Sequence, residues 1–272
     1  MQQLQIDNAV SQIIEKWYKA LKFDSKFDAE FYEALQTIPI SPDTNISTYP
    51  LDTMEGKKNL LSFLYMCEQV EKEYQKNEIC DEILLDTLSD IVVWCNEWSR
   101  IKGELFLGTT GWLSNHMRLQ LFKLGRLQFC IEPMNETLQN LGAGGDYYIG
   151  VHIPACGPLS IEDCERSFVM AKTFLEEYYP QVNYTHFSCN SWLLDDTLRE
   201  FLPPKSNILR FAEMFTIVDS KESDDITRYV FGRNITRENI GEAVCHSAFA
   251  GKIKKAIMGG KQFYCVRGLI AK

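Results

Sequence analysis

Apolar positions recur at helical spacing through the first hundred residues. Ile6, Val10, Ile13, Ile14, Trp17 and Leu21 form one stripe, the mark of an amphipathic helix. Ser25 and Asp28 make a capping-box pattern ahead of Phe27, Phe31, Tyr32 and Leu35. Pro39, Pro42 and Pro50 then bracket a polar loop. Two longer helices follow. One carries Leu60, Phe63, Leu64, Cys67, Val70 and Tyr74; the other carries Cys80, Ile83, Leu84, Leu88, Ile91, Trp94 and Trp98 before a stop at Gly103. These stripes are assigned to core packing.

Beyond Gly103 the period changes. Leu127, Phe129 and Ile131 alternate with Gln128, Cys130 and Glu132, which is strand spacing. A glycine-rich turn at 140–146 leads to a second strand at 147–154, where Ile149, Val151 and Ile153 alternate with Tyr148, Gly150 and His152. Ser160 and Asp163 cap a helix with a buried stripe at Cys164, Phe168, Ala171, Leu175 and Tyr178, ended by Pro180. A third strand is predicted at 184–194, then a short helix at 195–202. Segments 215–218 and 227–231 read as paired strands around an acidic turn, 249–258 as a basic helix, and 262–270 as a last strand. Strand, helix, strand over 147–194 implies a parallel pair with a right-handed crossover. The expected fold is α+β: a helical region, residues 1–121, followed by a mixed-sheet domain with flanking helices, residues 122–272.

Charge narrows the partners. Residues 1–100 hold 9 basic and 18 acidic side chains, whereas residues 226–272 hold nine Lys/Arg and only Glu238 and Glu242. The acidic half argues against nucleic acid, whose backbone wants a broad basic face; the basic tail can serve a small phosphorylated ligand. No apolar run approaches the roughly 20 residues of a membrane span, and Met1–Gln5 lacks the start of an export signal. A cytoplasmic protein without a membrane partner is expected. The nine cysteines form no C-x-x-C pair and read as reduced thiols.

Nucleotide and hydrolase motifs are missing. Glycines 142–150 lack the dinucleotide-binding spacing and precede a strand rather than follow one. No G-x-S-x-G elbow occurs, and the four histidines show no zinc spacing, so no metal site is expected. The loop Ala155-Cys156-Gly157-Pro158-Leu159 runs from a strand into the helix capped by Ser160. A helix amino terminus presents unbonded N–H groups and partial positive charge to phosphate.

Three strings carry a resemblance: Val151-His-Ile-Pro-Ala-Cys-Gly-Pro-Leu159, Ser191-Trp-Leu-Leu-Asp195 and Leu124-Gly-Arg-Leu-Gln-Phe129. With Leu202–Phe211 and Gly259–Phe263, they resemble a bacterial acyltransferase-domain family. That family joins a helical N-acyltransferase amino-terminal domain to a GNAT-like carboxy-terminal domain, and the resemblance spans nearly the whole chain. One departure is Cys189-Asn190, where the family commonly has Cys-His.

The resemblance implies an acyl-CoA-dependent N-acyltransferase. Acyl-CoA would be a cosubstrate rather than a resident cofactor, and the acceptor a small-molecule amine. Such enzymes join thioester and amine where two central strands splay. Backbone N–H groups hold the thioester oxygen, and a carboxylate or histidine takes the ammonium proton. Glu132 and His152 are the candidate bases, Tyr148 a candidate acid, and Cys156, Gly157, Leu159 and Ser160 the candidate CoA-binding residues. Pro158 removes one N–H donor from that loop. The alternative is a catalytically silent GNAT-like binding module, favoured by Asn190. A cysteine acyl-enzyme using Cys189 near His186 is a third reading, though residues three apart on a strand point to opposite faces. Oligomeric state is unassigned.

Overall fold

Residues 8–272 are described by a computed structural model; Ile6 of the first stripe and the segment Met1–Gln5 lie outside the described residues. Six helices come first: α1 (Asn8–Ala20), α2 (Asp28–Thr37), α3 (Gly56–Lys76), α4 (Asp81–Leu88), α5 (Asp90–Lys102) and α6 (Thr110–Met117). Then come β1 (Leu121–Leu124), β2 (Leu127–Pro133), α7 (Glu136–Asn140), β3 (Tyr147–His152), α8 (Ile161–Tyr178) and β4 (Tyr184–Ser191). The chain finishes with α9 (Asn207–Ala212), β5 (Thr216–Glu222), α10 (Asp225–Phe231), α11 (Ala248–Met258) and β6 (Tyr264–Ala271). Two compact units result. Among the described residues, one holds 8–124, 128–130 and 154–156; the other holds 125–127, 131–153 and 157–272.

The strands form one six-stranded sheet in the order β1-β2-β3-β4-β6-β5. β3 pairs with β4 in parallel, as the strand–helix–strand pattern requires, while β6 runs antiparallel to both β4 and β5. The connecting helix α8 starts where expected, because the Ser160 hydroxyl accepts the Asp163 N–H at 3.2 Å. Its stripe at Cys164, Phe168, Ala171 and Leu175 is buried. Phe168 meets Phe187 of β4 edge to face, with ring centroids 5.2 Å apart.

Three expectations are corrected. Segment 227–231 belongs to helix α10, not to a strand. Ile226 and Val230, one helical turn apart, pack into a small core with Leu198, Ile253 and Phe263, and an Asp225–Arg228 pair at 3.2 Å supports the helix. Ser25 is not a cap: Asp24 accepts the Lys26 N–H at 3.0 Å and opens a short 3-10 turn ahead of α2. The helix read across 80–98 is two helices. The Ser89 hydroxyl donates back to the Asp86 carbonyl at 2.6 Å, and α5 restarts at Asp90. Gly103 does end α5, in the left-handed conformation at φ 74°.

The restart at Asp90 serves the helical unit. In that unit Trp17, Phe31, Phe63, Leu64 and Tyr74 are almost wholly buried, each worth about 1.5–3 kcal/mol of transfer free energy. Asp90 is buried as well and stays ionic. Its Oδ2 accepts from the Trp94 indole at 3.2 Å and the Trp112 indole at 3.0 Å, and lies 3.2 Å from Nε2 of the buried His116. Burial pushes the carboxyl pKa up, but His116, Trp112 and the Gln128 amide outweigh it and hold the pKa below the usual range. Asp90→Ala leaves two indoles without an acceptor and the buried His116 ring without its carboxylate neighbour. The expected cost is about 3–5 kcal/mol, measured by urea unfolding at neutral pH. Because the native pKa is depressed, this contribution is full above about pH 4 and is lost as pH falls through the native value. The variant's deficit should therefore shrink in acid; a deficit under about 1 kcal/mol at neutral pH contradicts the assignment.

Candidate active site

Alternation on β3 puts Tyr148, Gly150 and His152 on one face of the sheet, and the neighbouring strand β2 supplies Glu132. The structure brings the three predicted catalytic candidates together. The Tyr148 hydroxyl donates a short hydrogen bond to Oε2 of Glu132. The other oxygen, Oε1, lies 3.8 Å from Nε2 of His152, an electrostatic contact beyond hydrogen-bond reach. Glu132 and His152 are each about one-third exposed, at 34% of the side chain, whereas Tyr148 is nearly buried.

Gly150 makes this cluster possible. A β-carbon there would collide with Oε1 of Glu132 and come within 3.1 Å of Nε2 of His152. The carboxylate therefore lies over the bare backbone of β3, in space that any side chain would fill.

Electrostatics fix its charge. Partial burial pushes the Glu132 pKa up, but His152 and the Tyr148 hydroxyl, with the more distant Arg267 guanidinium, outweigh burial and hold it below the usual carboxylate value. Glu132 is thus ionised at neutral pH.

The strands part at the same place. Tyr147↔Tyr184, Ile149↔Phe187 and Gly150↔Ser188 are the paired positions of β3 and β4, and the pairing does not reach His152 and Asn190. β4 keeps its partner on the other side, where β6 pairs with it as far as Ser191↔Val266. Gly150↔Ser188 is thus the last paired position between β3 and β4. Asn190 is exposed on β4. Arg267, opposite Asn190 on β6, donates from Nη1 to the Ser188 hydroxyl at 3.4 Å.

The loop after β3 is held from one side. Arg126 donates from Nε to the Pro158 carbonyl at 2.7 Å and from Nη2 to the Gly157 carbonyl at 3.0 Å. Cys156 and Gly157 are exposed and Leu159 is nearly buried. The Ser160 hydroxyl already serves Asp163, both as acceptor from its N–H and as donor to its carboxylate at 2.5 Å. The carboxylates of Glu162 and Asp163 occupy the first turn of α8.

The other candidates fare differently. Cys189 is fully buried, and burial pushes its thiol pKa far up, which disfavours the thiolate a nucleophile needs. His186 is instead 2.8 Å from the Thr185 hydroxyl through Nδ1. The basic tail spends much of its charge locally. Lys254 donates to the carbonyls of Gly241 and Ala243, Lys261 pairs with Glu200 and Arg237 with Asp224. Sequence reasoning missed Gly150, Ser188 and Arg267. A glycine between two polar residues on an otherwise apolar strand was the available signal.

Comparison with known proteins identifies the family. An N-acyltransferase N-terminal domain model matches residues 1–119, and a GNAT-like C-terminal domain model matches residues 121–270. The chain belongs to this acyltransferase family. No curated protein matches it. Among solved structures, this family member is similar to an acyltransferase mutant in complex with octanoyl-CoA, at TM-score 0.79 and 19% identity over 96% of this chain and 88% of that one. It is also similar to an acyltransferase in complex with decanoyl-CoA and teicoplanin, at TM-score 0.78 and 19% identity over 95% and 87%. At this identity the likeness establishes the GNAT-like acyltransferase fold.

Gly150→Ala tests the cluster. The colliding atoms are the far ends of two side chains, so the fold should survive with a loss near 1 kcal/mol in thermal unfolding. Displacing the pair by an ångström should lower acyl-transfer turnover about 100-fold. Unchanged turnover contradicts the placement.

Proposed function

We propose that this acyltransferase uses acyl-CoA as cosubstrate and passes the acyl group to the amine of a small molecule. The observation that carries the reading is the Glu132–His152 pair beside Gly150, the last position at which β3 is paired with β4. Helices before about residue 121 form the amino-terminal domain and the rest the GNAT-like domain, which holds the chemistry.

In this reading the thioester enters between the strands past Gly150↔Ser188. Backbone N–H groups on the unpaired edges stabilise negative charge on its oxygen as the tetrahedral intermediate forms. His152 takes a proton from the ammonium, and the amine nitrogen attacks the carbonyl carbon. The C–N bond forms, the C–S bond breaks, and the imidazolium returns its proton to the leaving thiolate. The second ammonium proton goes to solvent, so the products are an amide, free CoA and one proton.

Glu132 is too acidic to draw a proton from an ammonium group. Its ionised carboxylate instead favours the imidazolium as it forms, while Tyr148, already a donor to Glu132, positions the carboxylate rather than acting as the acid. His152 supplies the imidazole on this face, where Asn190 offers no proton acceptor. The amino terminus of α8, the Gly157 N–H and the charge of Arg126 favour the CoA phosphates at loop 156–160.

His152→Ala should lower kcat by about 10²–10⁴ and leave CoA affinity by calorimetry nearly unchanged. Glu132→Gln should lower kcat less, through loss of the carboxylate beside the ring. Both are read in a thiol-release assay with acyl-CoA and an amine panel. Full turnover in both variants assigns the proton transfer elsewhere.

A further inference from the structure

Two opposite charges flank the strand gap without pairing. Glu132 comes from β2 and leans over Gly150 of β3. Arg267 comes from β6 and leans onto Ser188 of β4. Gly150 and Ser188 are the last paired positions of the two central strands, so the charged ends lean toward backbones about 4.8 Å apart. Among the described residues no carboxylate lies within ion-pair distance of Arg267. Its neighbour across on β5 is Asp219, but that carboxylate accepts the Ser220 N–H at 2.8 Å. The 3.4 Å contact with Ser188 is the one hydrogen bond Arg267 makes to another described side chain.

That arrangement is costly unless it is used. Arg267 is half-buried, and a guanidinium carries five N–H donors in a fixed fork. Natural proteins seldom bury part of such a group without a carboxylate or several acceptors around it. Other tail cations, Lys254, Lys261 and Arg237 among them, bond carbonyls or acids nearby. A carboxylate on one side of the gap suits an ammonium, and an uncommitted guanidinium on the other suits a carboxylate, which it grips bidentately.

Resting on the acyl-transfer reading above, we infer that the acceptor is an amino acid or similar zwitterion, its carboxylate held by Arg267 and its amine beside Glu132 and His152. The amine then reaches His152 already oriented. An acceptor lacking the anionic group leaves Arg267 unsatisfied and its own amine unanchored. The net reaction is the one given above, with an N-acyl amino acid as the amide product.

Matched trios separate this proposal from the broader one. Each trio is an amino acid, its carboxamide and the corresponding amine without the carboxyl group, built on alanine, phenylalanine and lysine. With acyl-CoA saturating, the native protein should favour the amino acid over its two analogues by at least about 10-fold in kcat/KM in one or more trios. Arg267→Gln should bring that ratio close to one. Arg267→Lys should retain part of it, and circular dichroism of both variants checks the fold. A native protein that favours the amino acid over the analogues lacking the carboxylate in no trio, or a ratio that Arg267→Gln leaves intact, overturns the inference. If no amine is acylated, the acyl-transfer reading fails instead. Calorimetry of the same trios on the CoA-loaded protein then decides the acceptor site: amino-acid binding that Arg267→Gln abolishes supports it, and binding indifferent to the carboxylate overturns it.

Discussion

A parallel strand pair that stops early is the constraint on which the site depends. Backbone N–H and C=O groups inside a sheet are ordinarily bonded across to the next strand. β3 and β4 share that bonding only as far as Gly150 and Ser188, while β6 holds β4 in place beyond the break. The break is thus framed by strands rather than by loops. Each further feature is placed by reference to that break: the carboxylate over Gly150, the imidazole two residues on, and the guanidinium at Ser188.

The protein uses buried or partly buried carboxylates in two ways. Asp90 sits in the helical unit with two indoles and an imidazole around it, is 3% exposed, and is there to hold packing in one arrangement. Glu132 has a tyrosine and a histidine as neighbours, much the same donor types, but it is one-third exposed and lies at the break in the sheet. Both carboxyl groups are held below their ordinary pKa. What separates structural node from candidate chemistry is access, not charge.

Much of this was legible in the sequence. The period change after Gly103, the Ser160–Asp163 cap and the crossover through α8 follow from local patterns that tertiary packing left intact. Glu132, Tyr148 and His152 were candidates because the family resemblance called for a base and an acid and strand alternation sorted side chains by face; the structure places the three side by side. The errors have local causes. Thr227–Phe231 is rich in β-formers, but packing of Ile226 and Val230 into a helical core overrode propensity. The juxtaposition of Gly150, Ser188 and Arg267 was invisible because it depends on which strands are neighbours and where pairing ends. Neither is written in any one segment. The basic tail misled for a similar reason: charge in sequence does not reveal that Lys254 and Lys261 are spent on nearby carbonyls and an acid.

The reading proposed above puts the reacting thioester between β3 and β4 past Gly150↔Ser188, next to His152. A crystal structure of the protein with a non-hydrolysable acyl-CoA analogue tests it most directly. The expected result is the carbonyl carbon analogue between the two strands, near enough to the imidazole for an attacking nitrogen to bridge them at about 3–3.5 Å from the carbonyl carbon. An analogue bound with its acyl carbonyl outside that gap, or on the opposite face of the sheet from Glu132 and His152, contradicts the account.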